Sequence, residues 1–229
     1  MTKGALIVGA GTGISASFAR LLAKEGYKIV LASRDPGKLE RLARETGAIC
    51  CAADASDPAS VDGLFTQVDQ ILPSLDACLF NASARAQGPI TEIDPMRARE
   101  TLLILSYGGF LVAQATARRM VPKGRGTILL TGASASVKGY PQSAVFAMGK
   151  FALRGLAQSL ARELSPKGIH VAHFVIDGAI RNPGRVEPAD RPDSMLDPDA
   201  IAASYLGVLR QPRSAWTWEI ELRPWVERF

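Results

Sequence analysis

Three glycines stand at alternate positions in Val8-Gly9-Ala10-Gly11-Thr12-Gly13-Ile14-Ser15. Glycine tolerates positive φ and carries no side chain, so main-chain N–H groups in such a turn can close on a pyrophosphate. The segment follows an apolar run at 5–8 and opens a helical pattern, whose N-terminus adds positive dipole. Gly9, Gly11, Thr12, Gly13 and Ile14 are therefore expected to hold the phosphates of a dinucleotide. The end of the second apolar run selects the nucleotide. An acidic residue there would accept hydrogen bonds from the ribose 2′-OH and repel a 2′-phosphate. This chain has Ala32-Ser33-Arg34-Asp35 instead. Ser33 can donate, Arg34 can pair with a phosphate as a fork, and Lys38 follows about one helical turn on. NADP(H) is thus expected in preference to NAD(H). Asp35 reads as the N-cap of a helix opening at Pro36.

The elements that must position these residues alternate. Apolar runs predict strands at 5–8, 28–32, 48–52, 76–80, 127–131, 169–176 and 217–222, with helical spacing between them, clearest at 13–25 and 142–164. Pro36, Pro58, Pro95 and Pro141 sit where helices should begin. Near-continuous apolar strands joined by helices mean a parallel sheet covered on both faces. The expected fold is α/β, a Rossmann-like doubly wound sheet of about seven strands, one domain over 1–229. The stretch 177–199 breaks the alternation with four prolines and several Arg and Asp residues. It follows a strand's carboxyl end, so it reads as a lid or substrate loop, or else as a passive surface loop. All three tryptophans fall at 216–225, in an edge strand on a partner subunit or in the core.

Composition excludes several classes. With 47% hydrophobic and 21% charged residues, the chain is expected to be folded rather than disordered. Its apolar runs are too short to span a bilayer, and no signal-peptide pattern opens the sequence, which suggests a cytoplasmic protein. Net charge is +5, but no basic run is interleaved with aromatics, so nucleic acid is not an expected partner; a small anionic molecule is. Cys50, Cys51 and Cys78 read as reduced thiols. His170 and His173 share one strand without further ligands, so no metal is expected and the pair is structural or neighbours the cofactor.

Taken in order, these segments resemble the short-chain dehydrogenase/reductase family from about residue 3 to 180. Ser15 stands where the last glycine of the family's turn is usual. Asp54-Ala55-Ser56-Asp57 looks like its motif beside adenine. The segment ending Phe80-Asn81-Ala82-Ser83 looks like its Asn-Asn-Ala-Gly, with Phe80 and Ser83 as departures. Ile176-Asp177-Gly178-Ala179-Ile180 is similar to its Pro-Gly segment near the nicotinamide, with Asp177 in place of proline. The resemblance thus implies cofactor contacts at Asp54, Ala55, Asn81, Ala82, Gly178 and Ile180. It also implies a homodimer or homotetramer through the helices at 95–120 and 142–164.

The family's chemistry rests on Tyr-x-x-x-Lys, a serine and an asparagine. Tyrosine is the acid/base at the carbonyl oxygen. Lysine lowers its pKa and holds the nicotinamide ribose, serine orients the carbonyl, and asparagine supports a proton relay. Here Phe146-Ala147-Met148-Gly149-Lys150 keeps the spacing and only Lys150, with Phe146 at the tyrosine position. Ala133 falls at the serine position with Ser134 beside it, and Leu105 at the asparagine position. The chain looks like a subgroup with phenylalanine there and the lysine kept. Phenylalanine has no proton to give, so general acid catalysis, typically about 10²–10⁴-fold, is lost. Ser134, Ser136, Tyr140, Tyr107 and Asp177 are candidate substitutes. Two functions follow: an NADP(H)-dependent oxidoreductase with an atypical active site acting on a small molecule, or a catalytically silent NADP(H)-binding sensor or assembly protein.

Overall fold

A computed structural model describes residues 2–227. The chain runs β1 (Gly4–Val8), α1 (Ile14–Lys24), β2 (Lys28–Ser33), α2 (Glu40–Thr46), β3 (Ile49–Ala52), α3 (Pro58–Ile71), β4 (Ala77–Phe80), α4 (Pro95–Leu102), α5 (Gly108–Met120) and β5 (Gly126–Thr131). It continues α6 (Ala144–Leu164), β6 (Ile169–Ile176), β7 (Ala179–Ile180), β8 (Met195–Leu196), α7 (Pro198–Leu209) and β9 (Glu219–Leu222). Seven strands form one sheet in the order β3-β2-β1-β4-β5-β6-β9, every neighbouring pair parallel. The order reverses at β1, which pairs with β2 on one side and β4 on the other.

Alternate residues of each central strand feed opposite cores, as the two-residue period requires. Leu6, Val8, Val30 and Ala32 pack with Phe65 of α3, Val112 of α5 and Leu153 of α6. Ala5, Ile7, Ile29 and Leu31 pack with Phe18 of α1, Leu42 of α2 and Tyr205 of α7. Tyr205, fully buried, meets Phe18 and Phe174 edge-on, and its hydroxyl shares a 3.0 Å hydrogen bond with Thr131. Each such buried large apolar side chain contributes about 1.5–3 kcal/mol.

Helix starts follow the Asp-Pro rule at three places. Asp57, Asp94 and Asp197 each accept main-chain N–H bonds ahead of Pro58, Pro95 and Pro198. Two expected starts differ. Pro36 opens a short 3₁₀ turn, where the Asp35 side chain makes no cap. Pro141 precedes a left-handed Gln142 (φ 60°), and α6 begins only at Ala144. The segment expected to be irregular at 177–199 contains the two-stranded parallel sheet β7-β8, pairing Ala179 with Met195 and Ile180 with Leu196. The tryptophans divide: Trp216 stacks on His170, Trp218 packs against the core and Trp225 is exposed.

Sterics fix the glycine that opens the turn after β1. Gly9 has φ 78°, and a Cβ there would lie 2.3 Å from the main-chain nitrogen of Ala82. Gly9→Ala should therefore lower unfolding stability by on the order of 3 kcal/mol in urea titrations. Gly11→Ala, whose Cβ meets nothing within 4 Å, is the control and should stay within about 1 kcal/mol.

Candidate active site

The reversal at β1 opens a crevice beyond the carboxyl ends of β1 and β4, where doubly wound sheets bind ligands. A cleft of about 450 Å³ runs from Gly11, Gly13 and Ile14 to Phe146 and Lys150. A second hollow of about 300 Å³, lined by Gly9, Ser33, Arg34, Asp54, Ala55 and Ala82, shares Asn81 and Ser83 with it. The two are halves of one groove. Gly178, Ile180 and Ser134 also line the larger half. Thr12 faces an outer groove with Ser17 and Arg20, which meets the larger half at Asn182 and Arg185. Lys38 lines neither half; its ammonium lies 3.0 Å from Asp35 on the exposed surface.

The groove fits a dinucleotide in three respects. Cβ atoms at Gly11 and Gly13 would meet no protein atom within 4 Å, so the turn presents main chain rather than side chains to the groove. Ser33 Oγ is buried and finds no hydrogen-bond partner among the described residues, in the hollow that Arg34 also lines. Asp54, the carboxylate in that hollow, is engaged locally: the Ser56 hydroxyl donates to it at 2.6 Å, which holds its pKa below the usual carboxylate range. Asn81 Nδ2 donates to Ser15 Oγ at 2.8 Å, and Ser15 Oγ donates to the Gly9 carbonyl at 3.2 Å.

At the other end the expected catalytic positions form an apolar corner. Leu105 lies in a π-helical turn at Leu103–Tyr107 between α4 and α5. It is fully buried and clusters with Ala133, Ala135 and Phe146. Lys150 is almost wholly buried, and its Nζ donates to the Thr131 carbonyl at 2.7 Å. Burial first, and Arg85 second, push the Lys150 pKa down to about 8. Arg85 was not legible as a site residue. Its guanidinium carbon lies 4.4 Å from the Phe146 ring centre, while Lys150 Nζ is 5.8 Å from it. The one available signal was a cation four residues past Asn81, at the end of a strand.

Among the candidate substitutes, Tyr140 and Ser134 line the cleft. Ser136 is buried and its Oγ accepts from the Ala133 N–H. Tyr107 stacks on Phe110 outside the cleft. Asp177, expected to face the nicotinamide side, is instead held by Lys138 at 3.1 Å and does not line the cleft. The histidines serve the sheet. His170 bonds the Thr217 carbonyl at 2.9 Å. His173 bonds Glu219 at 3.0 Å, and burial pushes its pKa down to about 4. Cys51 and Cys78 are buried, Cys50 half-buried, and burial raises all three thiols, Cys78 to about 12.

Fold and groove together define a Rossmann-like domain with a groove at the switch point. The profile of the short chain dehydrogenase family matches residues 3–185. A short-chain dehydrogenase from Rhodopseudomonas palustris superposes with a TM-score of 0.84 at 35% identity, over 97% of this chain and 99% of that one. A metagenomic short-chain oxidoreductase in complex with NADP superposes with a TM-score of 0.84 at 25% identity, over 97% of each chain. An uncharacterized oxidoreductase of Staphylococcus aureus strain N315 is 28% identical over 228 residues, 97% of each protein. The chain belongs to the short-chain dehydrogenase family, whose members bind nicotinamide cofactors. Among the described residues no helix is long and apolar enough to cross a membrane.

The buried ammonium has a pH signature. Lys150 titrates near 8 when folded and near 10.5 when unfolded, so the unfolded state holds more protons between those values. Stability therefore rises with pH across that window, while below it the full burial cost remains. The stability difference between the native chain and Lys150→Met should move about 3 kcal/mol in the native chain's favour from pH 8 to 10.5. Denaturant melts at both pH values measure it. A difference that ignores pH would mean an ordinary lysine.

Proposed function

We propose that the chain is an NADP(H)-dependent oxidoreductase that acts on a small molecule without a tyrosine acid. The observation that carries the cofactor choice is the buried Ser33 hydroxyl, unpartnered among the described residues in the hollow lined by Arg34. Ser33 and Arg34 would take the 2′-phosphate, and Gly9, Gly11, Gly13 and Ile14 the pyrophosphate. Asp54, Ala55, Asn81 and Ala82 bound the adenosine half, and Lys150, Gly178 and Ile180 the nicotinamide half. When bound, the nicotinamide supplies or accepts a hydride.

Phe146 gives no proton at the tyrosine position, and Tyr140, which lines the same cleft, lies outside the corner formed by Leu105, Ala133, Ala135 and Phe146. Arg85 offers hydrogen-bond donors, but a guanidinium does not serve as a proton-transferring acid. The Lys150 ammonium is directed at the Thr131 carbonyl. A ketone oxygen therefore lacks the acid it needs. An iminium needs none, because hydride addition neutralises it, and an enoyl group takes its proton at carbon. Acceptors of these kinds suit the site. The alternative, a silent NADP(H)-binding protein, is favoured by the apolar packing of Leu105, Ala133, Ala135 and Phe146. A homo-oligomer through α4, α5 and α6 fits the exposed Tyr107 in the π turn between α4 and α5, Phe110 on α5, and Met148 and Phe151 on α6. A cytoplasmic setting fits the three free cysteines.

Calorimetric titration tests the cofactor. NADPH should bind about tenfold or more tightly than NADH, and Arg34→Ala should erase the difference. Equal affinities in the native chain would remove the cofactor assignment.

Single-turnover NADPH oxidation tests the chemistry. The native chain should act slowly on a simple ketone such as cyclohexanone and faster on a cyclic iminium or an enoyl compound. Phe146→Tyr with Ala133→Ser should speed ketone reduction by at least about tenfold over the native chain. The two groups act on one oxygen, so the gain should exceed the product of the single gains. Brisk ketone reduction by the native chain would overturn the reading. Inertness of every variant toward every acceptor, with NADPH bound, would favour the silent protein.

A further inference from the structure

The larger half of the groove is charged in one sense. Its lining holds Arg85, Lys150 and Arg185, and no Asp or Glu. Lys150 spends a proton on the Thr131 carbonyl. The side chains of Arg85 and Arg185 make no hydrogen bond or ion pair with any described residue. Arg85 is exposed, and its guanidinium lies over the Phe146 ring at 4.4 Å. An aromatic face holds a cation through its quadrupole and takes none of the five N–H donors. All five remain free for something in the cleft.

This arrangement carries an electrostatic cost. Arg85 and Lys150 repel each other across Phe146, and that repulsion adds to burial in lowering the lysine pKa. An anion seated against Arg85 relieves it. Arg185 lies in the loop between β7 and β8 and lines the same cleft, where it also borders two outer grooves. Phe146 thereby has a role of its own: it is the platform that presents the guanidinium.

We propose that this half of the groove binds a small substrate through its carboxylate, with Arg85 as the anchoring fork and Arg185 as a second cation from the loop. That the ligand is a substrate rests on the oxidoreductase reading above; the anion site itself does not. A carboxylate is the smaller of the two oxyanions that a guanidinium fork matches in a bidentate way. It suits a cleft of about 450 Å³ that the nicotinamide would also enter. The reacting carbon then lies close to the charged group, as in the imine of a 2-oxo acid or an α,β-unsaturated acid.

Oxamate is the probe, with oxamide as its neutral counterpart and inorganic phosphate as the rival oxyanion. Each is titrated calorimetrically into the full-length protein, alone and with saturating NADPH. Oxamate should bind about tenfold or more tightly than oxamide, and Arg85→Ala should lose that margin while Arg85→Lys keeps part of it. Arg185→Ala should weaken oxamate less than Arg85→Ala. NADPH affinity should be unchanged in all three variants. Absent oxamate binding, equal oxamate and oxamide binding, or oxamate affinity indifferent to Arg85→Ala would overturn the proposal. So would a loss of NADPH affinity in Arg85→Ala, which would make Arg85 a cofactor ligand. Phosphate binding as tightly as oxamate through Arg85 would overturn the carboxylate. Failure of NADPH to bind the native chain would sink the cofactor assignment instead, and oxamate titration of the protein alone would still decide the anion site.

Discussion

Asn81, just past the end of β4, donates to the Ser15 hydroxyl, and that hydroxyl donates to the Gly9 carbonyl. The chain of two bonds crosses the place where the sheet reverses its strand order. β1 pairs with β2 on one side and β4 on the other, and the Asn81 N–H carries the ladder past β4 by donating to the Val8 carbonyl at 2.8 Å, just ahead of the glycine turn. Ser15 adds a side-chain tie from a fully buried position at the start of α1. In the family's usual turn a glycine stands here. A hydroxyl in its place turns a position of mere clearance into a fastening, and both halves of the groove are measured from it. Gly9 meets the same demand sterically, because its backbone lies against Ala82.

The far edge of the sheet is secured by charge. Glu219 on β9 takes both Arg154 Nε and Nη2, at 2.7 and 2.8 Å, and also the ring nitrogen of His173 at 3.0 Å. Arg154 belongs to α6, the helix that carries Phe146 and Lys150. The C-terminal strand and the helix of the candidate active site are therefore tied by one partly buried carboxylate. Arg154 holds the Glu219 pKa below its ordinary value, with a smaller contribution from His173, so the tie persists at neutral pH.

The sheet was legible because strands buried on both faces read as unbroken apolar runs, and Ile169–Ile176 matches its run at both ends. The strands β7 and β8 were not, because two residues carry no period. The π turn at Leu103–Tyr107 leaves the apolar pattern of the helix nearly intact, so the sequence reads as one helix. In the site, local chemistry was readable and long-range capture was not. The glycine turn declares itself by composition. Lys38 points to a phosphate by spacing, but Asp35, three residues earlier, takes its charge. Asp177 is taken by Lys138, 39 residues away. Arg85 meets Phe146 only because the loop after β4 folds over α6, a juxtaposition no local spacing encodes.

Leu105 fills the hollow over Gly149 so closely that a Cβ on the glycine would lie 2.6 Å from its Cδ1. The two positions have settled into each other as core. An asparagine restored at 105 would exchange a fully buried hydrocarbon for an amide facing Ala133, Ala135 and Phe146, none of whose side chains can accept or donate a hydrogen bond. Packing thus closes this corner to a polar side chain at 105 before any question of chemistry arises.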